Sequence, residues 1–235
     1  HERKKPYRFQ EKAITKILAG LADNDRVTAT MACGTGKTLV ALWVAQHMQL
    51  KARNVLFLVP SLALLKQTLE EWAKESEWKD LDFLAVCSDS TVGGGVDQWV
   101  IRPWECGFPV TTDSDEVRKE LSRPCNGTRL VFSTYHSAEA LADGMPPSFR
   151  FDLGIFDEAH KTAGVKGRNY SFALSDENMK IKKRLFMTAT PRHYHPRNRN
   201  ADGNFTLQYS MDDREVYGPT VYDLPFSEAA DDDII

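Results

Sequence analysis

No apolar run in this 235-residue chain approaches the roughly 18 residues that a membrane-spanning helix needs. No excess of positive charge is present either: 30 Lys and Arg stand against 33 Asp and Glu, for a net charge of −3. That balance excludes a protein that holds nucleic acid or anionic lipid by bulk charge, although it leaves room for a local basic groove. Cysteine is scarce. Cys33, Cys87, Cys106 and Cys125 form no Cys-x-x-Cys pair, which excludes a zinc ribbon. The basic start, His1 to Lys5, is not followed by an apolar stretch, so it is no secretory signal. The expectation is reduced thiols in a cytoplasmic protein with no membrane partner. His193 and His195 lack further clustered ligands, and no metal site is expected there. Internal repeats are missing as well. What remains is an ordinary globular composition, 42% apolar and 27% charged, enough for one large α/β domain or two small ones.

Strand and helix signals alternate along the chain. Val27 to Ala32 is a short apolar run that ends in a glycine-rich turn, and a helix is expected from Lys37 to Leu50. Val55 to Val59 is apolar at every position, the pattern of a parallel strand buried on both faces. Pro60 ends it, and Ser61 can cap a helix from Leu62 to Glu75. Leu81–Cys87, Leu130–Thr134, Leu153–Phe156 and Arg184–Met187 repeat the strand signature, with helical stretches at Ser114–Leu121 and Ser137–Ala142. Such alternation predicts a mostly parallel sheet flanked by helices. Residues 88–112 break the rhythm and read as an insertion or long loop. Beyond residue 192 the pattern weakens into an extension expected to be irregular, 193–235, with one more strand possible at Thr220–Leu224 and an acidic end, Glu228 and Asp231 to Asp233, that frays. From Lys180 to Asn200 seven basic residues occur without an acid. They are either a solvated face or a phosphate contact.

Three segments carry chemistry. Cys33-Gly34-Thr35-Gly36-Lys37-Thr38 follows a strand and opens a helix, the context a phosphate-binding loop requires. Gly34 and Gly36 let backbone N–H groups turn around phosphate oxygens, and the helix N-terminus adds its positive dipole end. Lys37 would reach the β and γ phosphates of ATP, and Thr38 would offer its hydroxyl to Mg²⁺. About 120 residues later, Asp157-Glu158-Ala159-His160 ends the strand Leu153–Phe156. An acid at the C-terminal end of a buried parallel strand lies where such sheets bind ligands. Asp157 would hold the Mg²⁺ and Glu158 would polarise the attacking water, while His160 could link nucleotide state to its surroundings. The third segment, Met187-Thr188-Ala189-Thr190-Pro191, ends another strand, and the hydroxyls of Thr188 and Thr190 could bond the Asp157–His160 segment as a coupling element.

In this order the three segments resemble motifs I, II and III of the superfamily 2 helicases, over roughly residues 6 to 192. The resemblance implies a RecA-like P-loop NTPase lobe spanning 1–192. Phe57 to Leu62, with Leu65 and Gln67, resembles motif Ia, and Phe132 to Ser137 resembles the next backbone-contact motif. They imply Pro60, Ser61, Gln67, Thr134, Tyr135 and His136 as nucleic-acid contacts. Tyr7 to Ile14 resembles the glutamine motif, in which Gln10 reads adenine; Tyr7 stands where the family usually has Arg. Cys87-Ser88-Asp89, Pro109 to Asp113 and Thr134 to Ser137 look most like the translocase subunits of restriction enzymes and phage-defence helicases. Double-stranded DNA is the implied partner. Alternatives are an RNA helicase lobe and a nucleotide-gated sensor that does not unwind. The chain starts at His1, and no second lobe of comparable size fits after Pro191, so it is expected to be a piece that binds ATP but turns it over slowly.

Overall fold

The structure is a computed structural model and describes residues 2–48, 53–87, 110–165, 169–194, 197–199 and 205–231. The chain opens with α1 (Arg8–Asp23), whose Ala13, Ile14, Ile17 and Leu21 recur at helical spacing and are buried. β1 (Arg26–Met31) leads into α2 (Lys37–His47), and β2 (Arg53–Val59) into α3 (Leu62–Glu75). Ser61 caps α3 by accepting from Leu64 N. β3 (Leu81–Val86) and β4 (Val110–Thr111) precede α4 (Ser114–Ser122), which Asp113 caps. β5 (Thr128–Thr134), α5 (Ala138–Gly144) and β6 (Phe151–Phe156) follow. After β7 (Gly164–Val165) come β8 (Ile181–Thr188), β9 (Arg197–Arg199), β10 (Phe205–Tyr209), α6 (Arg214–Tyr217), β11 (Thr220–Leu224) and α7 (Phe226–Asp231).

Eight of the strands form one sheet in the order β11-β1-β8-β6-β2-β5-β3-β4, and every pairing in it is parallel. β7, β10 and β9 make a separate antiparallel sheet. The continuous apolar runs are explained by two cores. In β2, Val55, Phe57 and Val59 face the core that holds α1, α2 and α3, while Leu56 and Leu58 face the core that holds α4, α5 and α6. A strand with helices on both sides has no polar face to show. α2 is likewise buried nearly all round, from Leu39 to Ala45.

Three expectations need revision. The interval 88–112 does not lie wholly outside the sheet, because Val110 and Thr111 pair with Ala85 and Val86 as its last strand; residues 88–109 lie outside the described residues. The extension after 192 is not simply irregular. β11 joins the sheet beside β1, with Thr220 opposite Thr28 and Leu224 opposite Met31. Glu228 and Asp231, expected to fray, lie in α7, and Asp232 and Asp233 lie outside the described residues.

Among the described residues the basic run is divided between surface and core. It enters β8, where side chains alternate. Lys182 is exposed, Lys183 bonds Asp25 at 2.9 Å, and Arg184 is 2% exposed. Arg184 donates to the carbonyls of Met179 (3.0 Å) and Ile181 (3.1 Å) and pairs with Asp176. Burial pulls its pKa down to about 10, so it remains a cation that braces the N-terminal end of β8. The side chains of Arg197 and Arg199 lie outside the described residues.

Gly218 forms the joint between α6 and β11. Its φ of +68° is unfavourable for any side chain, and a Cβ there would overlap the Arg26 carbonyl. Gly218→Ala should therefore cost more than about 1 kcal/mol. The expected result is a lower thermal midpoint; an unchanged midpoint would show that β11 does not depend on this joint.

Candidate nucleotide and nucleic-acid edge

Because all eight strands run the same way, their C-terminal ends share one edge. Met31, at the end of β1, is fully buried and delivers the chain into the phosphate-binding loop. Gly34 and Gly36 take φ values of +83° and +78°. Gly36 is the N-cap of α2, and no side chain caps that helix end. Its first N–H groups therefore face the loop, which suits an anion. A Cβ at Gly36 would stand 2.5 Å from Gln10 Nε2, so the loop is shaped for glycine. Lys37 Nζ lies over it, 3.3 Å from Met31 O and 3.4 Å from Ala32 O. Thr38 is half-buried in the first turn of α2. The Thr35 hydroxyl points inward and donates to Ala32 O at 2.7 Å, so Thr35 braces the loop and has only its backbone to offer a phosphate.

Gln10 is 4% exposed. Its Nε2 donates to Thr35 O at 2.9 Å and its Oε1 accepts from Tyr7 N at 2.9 Å. The side chain thus ties the start of α1 to the phosphate-binding loop.

Asp157 and Glu158 follow β6, two strands from β1. Asp157 is buried, and its Oδ1 accepts from Glu158 N at 3.0 Å. Burial, reinforced by the neighbouring Glu158 carboxylate, pushes the Asp157 pKa up to about 6, against the pull of Lys37. Glu158 shifts the other way, because its hydrogen bond with His160 favours the charged form. His160 Nδ1 lies 3.3 Å from Glu158 Oε2 and 2.9 Å from Thr188 Oγ1. Thr188 Oγ1 also accepts from Thr190 N at 3.1 Å. The third motif and the acidic tetrad are thereby joined through one hydroxyl. Thr190 enters this link by its backbone, and its own side chain is exposed.

Five of the six nucleic-acid candidates lie where the next two strands, β2 and β5, end, and the sixth, Gln67, lies on α3. Pro60 and Ser61 are half-buried where β2 ends, and Gln67 is exposed on α3. Thr134 is 6% exposed, with its hydroxyl donating to Ser137 Oγ at 3.1 Å. His136 is exposed and sits 3.0 Å from the Tyr170 hydroxyl. Tyr135 is a correction: it is 1% exposed, and its hydroxyl donates inward to Asp157 O at 2.7 Å. Its side chain has no surface to present to a nucleic acid.

Two positioning contacts were illegible in the sequence. Trp72 Nε1 donates to Thr38 O at 3.0 Å, anchoring the first turn of α2 from α3. Tyr217 Oη lies 2.9 Å from Thr162 Oγ1, which donates to Ala159 O within the tetrad's turn. An aromatic at a core position of a helix looks the same in sequence whether or not its polar tip is used. A cavity of about 650 Å³ lined by Asn54, Arg150, Asp152 and Lys180 lies at the opposite ends of the strands and takes no part in this edge.

Residues 3–193 match the family model described as "Type III restriction enzyme, res subunit", ResIII. The chain belongs to the ResIII family. Among solved structures the ResIII lobe is similar to the ATP-dependent Type ISP restriction-modification enzyme LlaBIII bound to DNA, at 33% identity and a TM-score of 0.81 over 99% of this chain and 16% of that one. A nuclease-deletion mutant of the Type ISP enzyme LlaGI, in complex with a DNA substrate mimic, shows 32% identity and a TM-score of 0.76 over 98% and 21%. The helicase domain of Hef from Pyrococcus furiosus shares the fold, at 19% identity and a TM-score of 0.56 over 93% and 37%. A probable helicase of African swine fever virus is 32% identical over 208 residues, 86% of this chain and 22% of that protein. The chain thus spans about a fifth of the length of the curated relatives it matches. Its fold is that of RecA-like helicase lobes, and it is similar to a part of the Type ISP restriction-modification enzymes. No helix among the described residues is long and apolar enough to cross a membrane.

The buried Asp157 carboxylate has a folded pKa of about 6 against an ordinary 3.8. A raised acid pKa means that the folded state holds the proton more tightly, so this group's contribution to stability falls as pH rises from about 4 through 6. Asp157→Asn keeps the acceptor for Glu158 N and removes the buried charge. It should raise the thermal midpoint by at least about 2 °C at pH 7.5, with the gain vanishing below pH 4. A midpoint difference independent of pH would contradict this assignment.

Proposed function

We propose that this lobe binds and helps hydrolyse ATP to drive movement along double-stranded DNA. The observation that carries the reading is the sequence of sites along one sheet edge. The phosphate-binding loop, the Thr188 turn and the Asp157–His160 segment stand at the C-terminal ends of the adjacent strands β1, β8 and β6, and the nucleic-acid candidates other than Gln67 stand at the ends of β2 and β5 directly beyond them. That the similar Type ISP enzymes were solved with DNA or a DNA mimic favours DNA as the track.

In this reading the N–H groups opening α2 hold the phosphates, and Lys37 swings from the Met31 and Ala32 carbonyls onto the β and γ phosphates. Gln10 keeps a second Nε2 hydrogen and a second Oε1 lone pair, a donor and an acceptor for the adenine edge. Thr38 and Asp157 would supply oxygen ligands to Mg²⁺, which when bound would offset phosphate charge. The residues fit a cation, since burial and the neighbouring Glu158 carboxylate disfavour the Asp157 charge more than Lys37, at the start of α2, and His160 favour it. Glu158, charged through its contact with His160, orients and polarises the attacking water. His160 and Thr188 pass its position to the Thr188–Thr190 turn. Pro60, Ser61, Gln67, Thr134 and His136 line the track, where hydroxyls and backbone groups suit phosphate contacts made and released without sequence preference. An arginine to stabilise transferring γ-phosphate charge is to come from a second RecA-like lobe, so this lobe alone should bind ATP and turn it over slowly.

Lys37→Ala should abolish nucleotide binding in calorimetry while the protein stays folded; unchanged affinity would sink the phosphate-loop assignment. In the intact protein, Glu158→Gln should retain ATP binding and lower the hydrolysis rate by about 10² or more. Normal turnover in that variant would remove Glu158 from the chemistry. Stimulation by RNA duplex in preference to DNA duplex would overturn the choice of track.

A further inference from the structure

Glu158 is the one non-glycine among the described residues with a positive φ, +49° with ψ at 45°. Side chains with a Cβ avoid this region, and such residues persist only where their surroundings over-determine them. The constraint is visible in the preceding peptide. Its carbonyl, Asp157 O, accepts from the Tyr135 hydroxyl at 2.7 Å, and its N–H, Glu158 N, donates to Asp157 Oδ1 at 3.0 Å. The plane is held at both ends, and the Glu158 side chain leaves it in one direction, toward His160.

Tyr135 is well placed to hold that plane. It is fully buried, with its ring 5.6 Å from Tyr170 and 6.3 Å from Phe156. It is also the middle residue of the Thr134–His136 turn. On its exposed side, His136 stacks edge-on against Tyr170 at 4.6 Å and meets its hydroxyl at 3.0 Å. A shift at the surface of this turn therefore moves a phenol whose other end holds the peptide before Glu158.

We propose that Tyr135 is a positioning residue: its hydroxyl sets the attitude of Glu158 and makes that attitude depend on what the 134–136 turn touches. The inference rests on the motor reading above for the use Glu158 makes of its position. Tyr135→Phe keeps the ring and removes the hydroxyl. In the intact protein it should lower DNA-stimulated kcat about tenfold or more, with KM for ATP within twofold, because the phosphate-binding groups are untouched. The rate without DNA should fall less. A stimulated kcat within twofold of the parent would overturn the proposal, and an equal loss with and without DNA would overturn the link to the turn. A purely structural tyrosine would lower the melting temperature without this split between kcat and KM.

A second measurement does not use activity. Glycine at 158 accepts positive φ without strain, so Tyr135→Phe should lower the melting temperature less in a Glu158→Gly background than alone. Equal losses would show that the hydroxyl does not hold this peptide. Should Tyr135→Phe fail to fold, rescue by Glu158→Gly supports the proposal and lack of rescue defeats it. If the parent hydrolyses no ATP with DNA present, the motor reading fails, while this cycle still decides the role of Tyr135.

Discussion

Parallelism of the eight-stranded sheet is the constraint on which the rest depends. Parallel neighbours cannot be joined by a tight turn, so each connection crosses a face of the sheet and leaves it covered on both sides. The strands must then be apolar on both faces, and β2 divides its residues between two cores accordingly. The same constraint sends every strand's C-terminus to one edge. Loops distant in sequence, after β1, β8, β6, β2 and β5, become neighbours there in that order. No single segment makes the site; the direction of the strands does.

The two ends of the sheet treat buried charge differently. At the N-terminal end Arg129 and Arg184 are 4% and 2% exposed and surrounded by carbonyl acceptors and an aspartate each. Those cations have partners in every direction and serve as fixed braces. At the C-terminal end Asp157 is buried with one backbone donor and with a second carboxylate beside it. Its charge is poorly compensated, and that is the condition in which a cation is welcome. Compensated and uncompensated charge are thus sorted to opposite ends of one layer.

What the sequence reveals follows the range of the forces involved. The glycine-rich turn after β1 was legible because its glycines act through local backbone geometry, and the place of Asp157 and Glu158 at the end of β6 because a strand run points at them. The bounds of α3, Leu62–Glu75, were legible because Ser61 caps it within one turn. Contacts over long separations were not. Nothing local distinguishes Tyr135, bonded to Asp157, from Thr134 and His136 beside it, and the resemblance of Phe132 to Ser137 to a backbone-contact motif implied a surface role that its burial denies. Arg184 looked like one member of a basic run because its carbonyl partners lie outside that run's exposed positions. β11 was legible only as a possibility, since a strand of five residues at a sheet edge leaves little periodicity to read.

β11 has a practical meaning for dissecting this protein. It covers the outer side of β1 from Thr28 to Met31, and Leu224 O accepts from Ala32 N at 3.0 Å, at the threshold of the phosphate-binding loop. A boundary drawn where the family match ends, at residue 193, would strip that cover away. The strand that carries the loop would become a bare edge with unpaired donors and acceptors, the template on which chains pair with one another and precipitate. A recombinant lobe cut there would invite self-association along β1, beside the glycine-rich loop, and one carried through α7 would keep that edge closed.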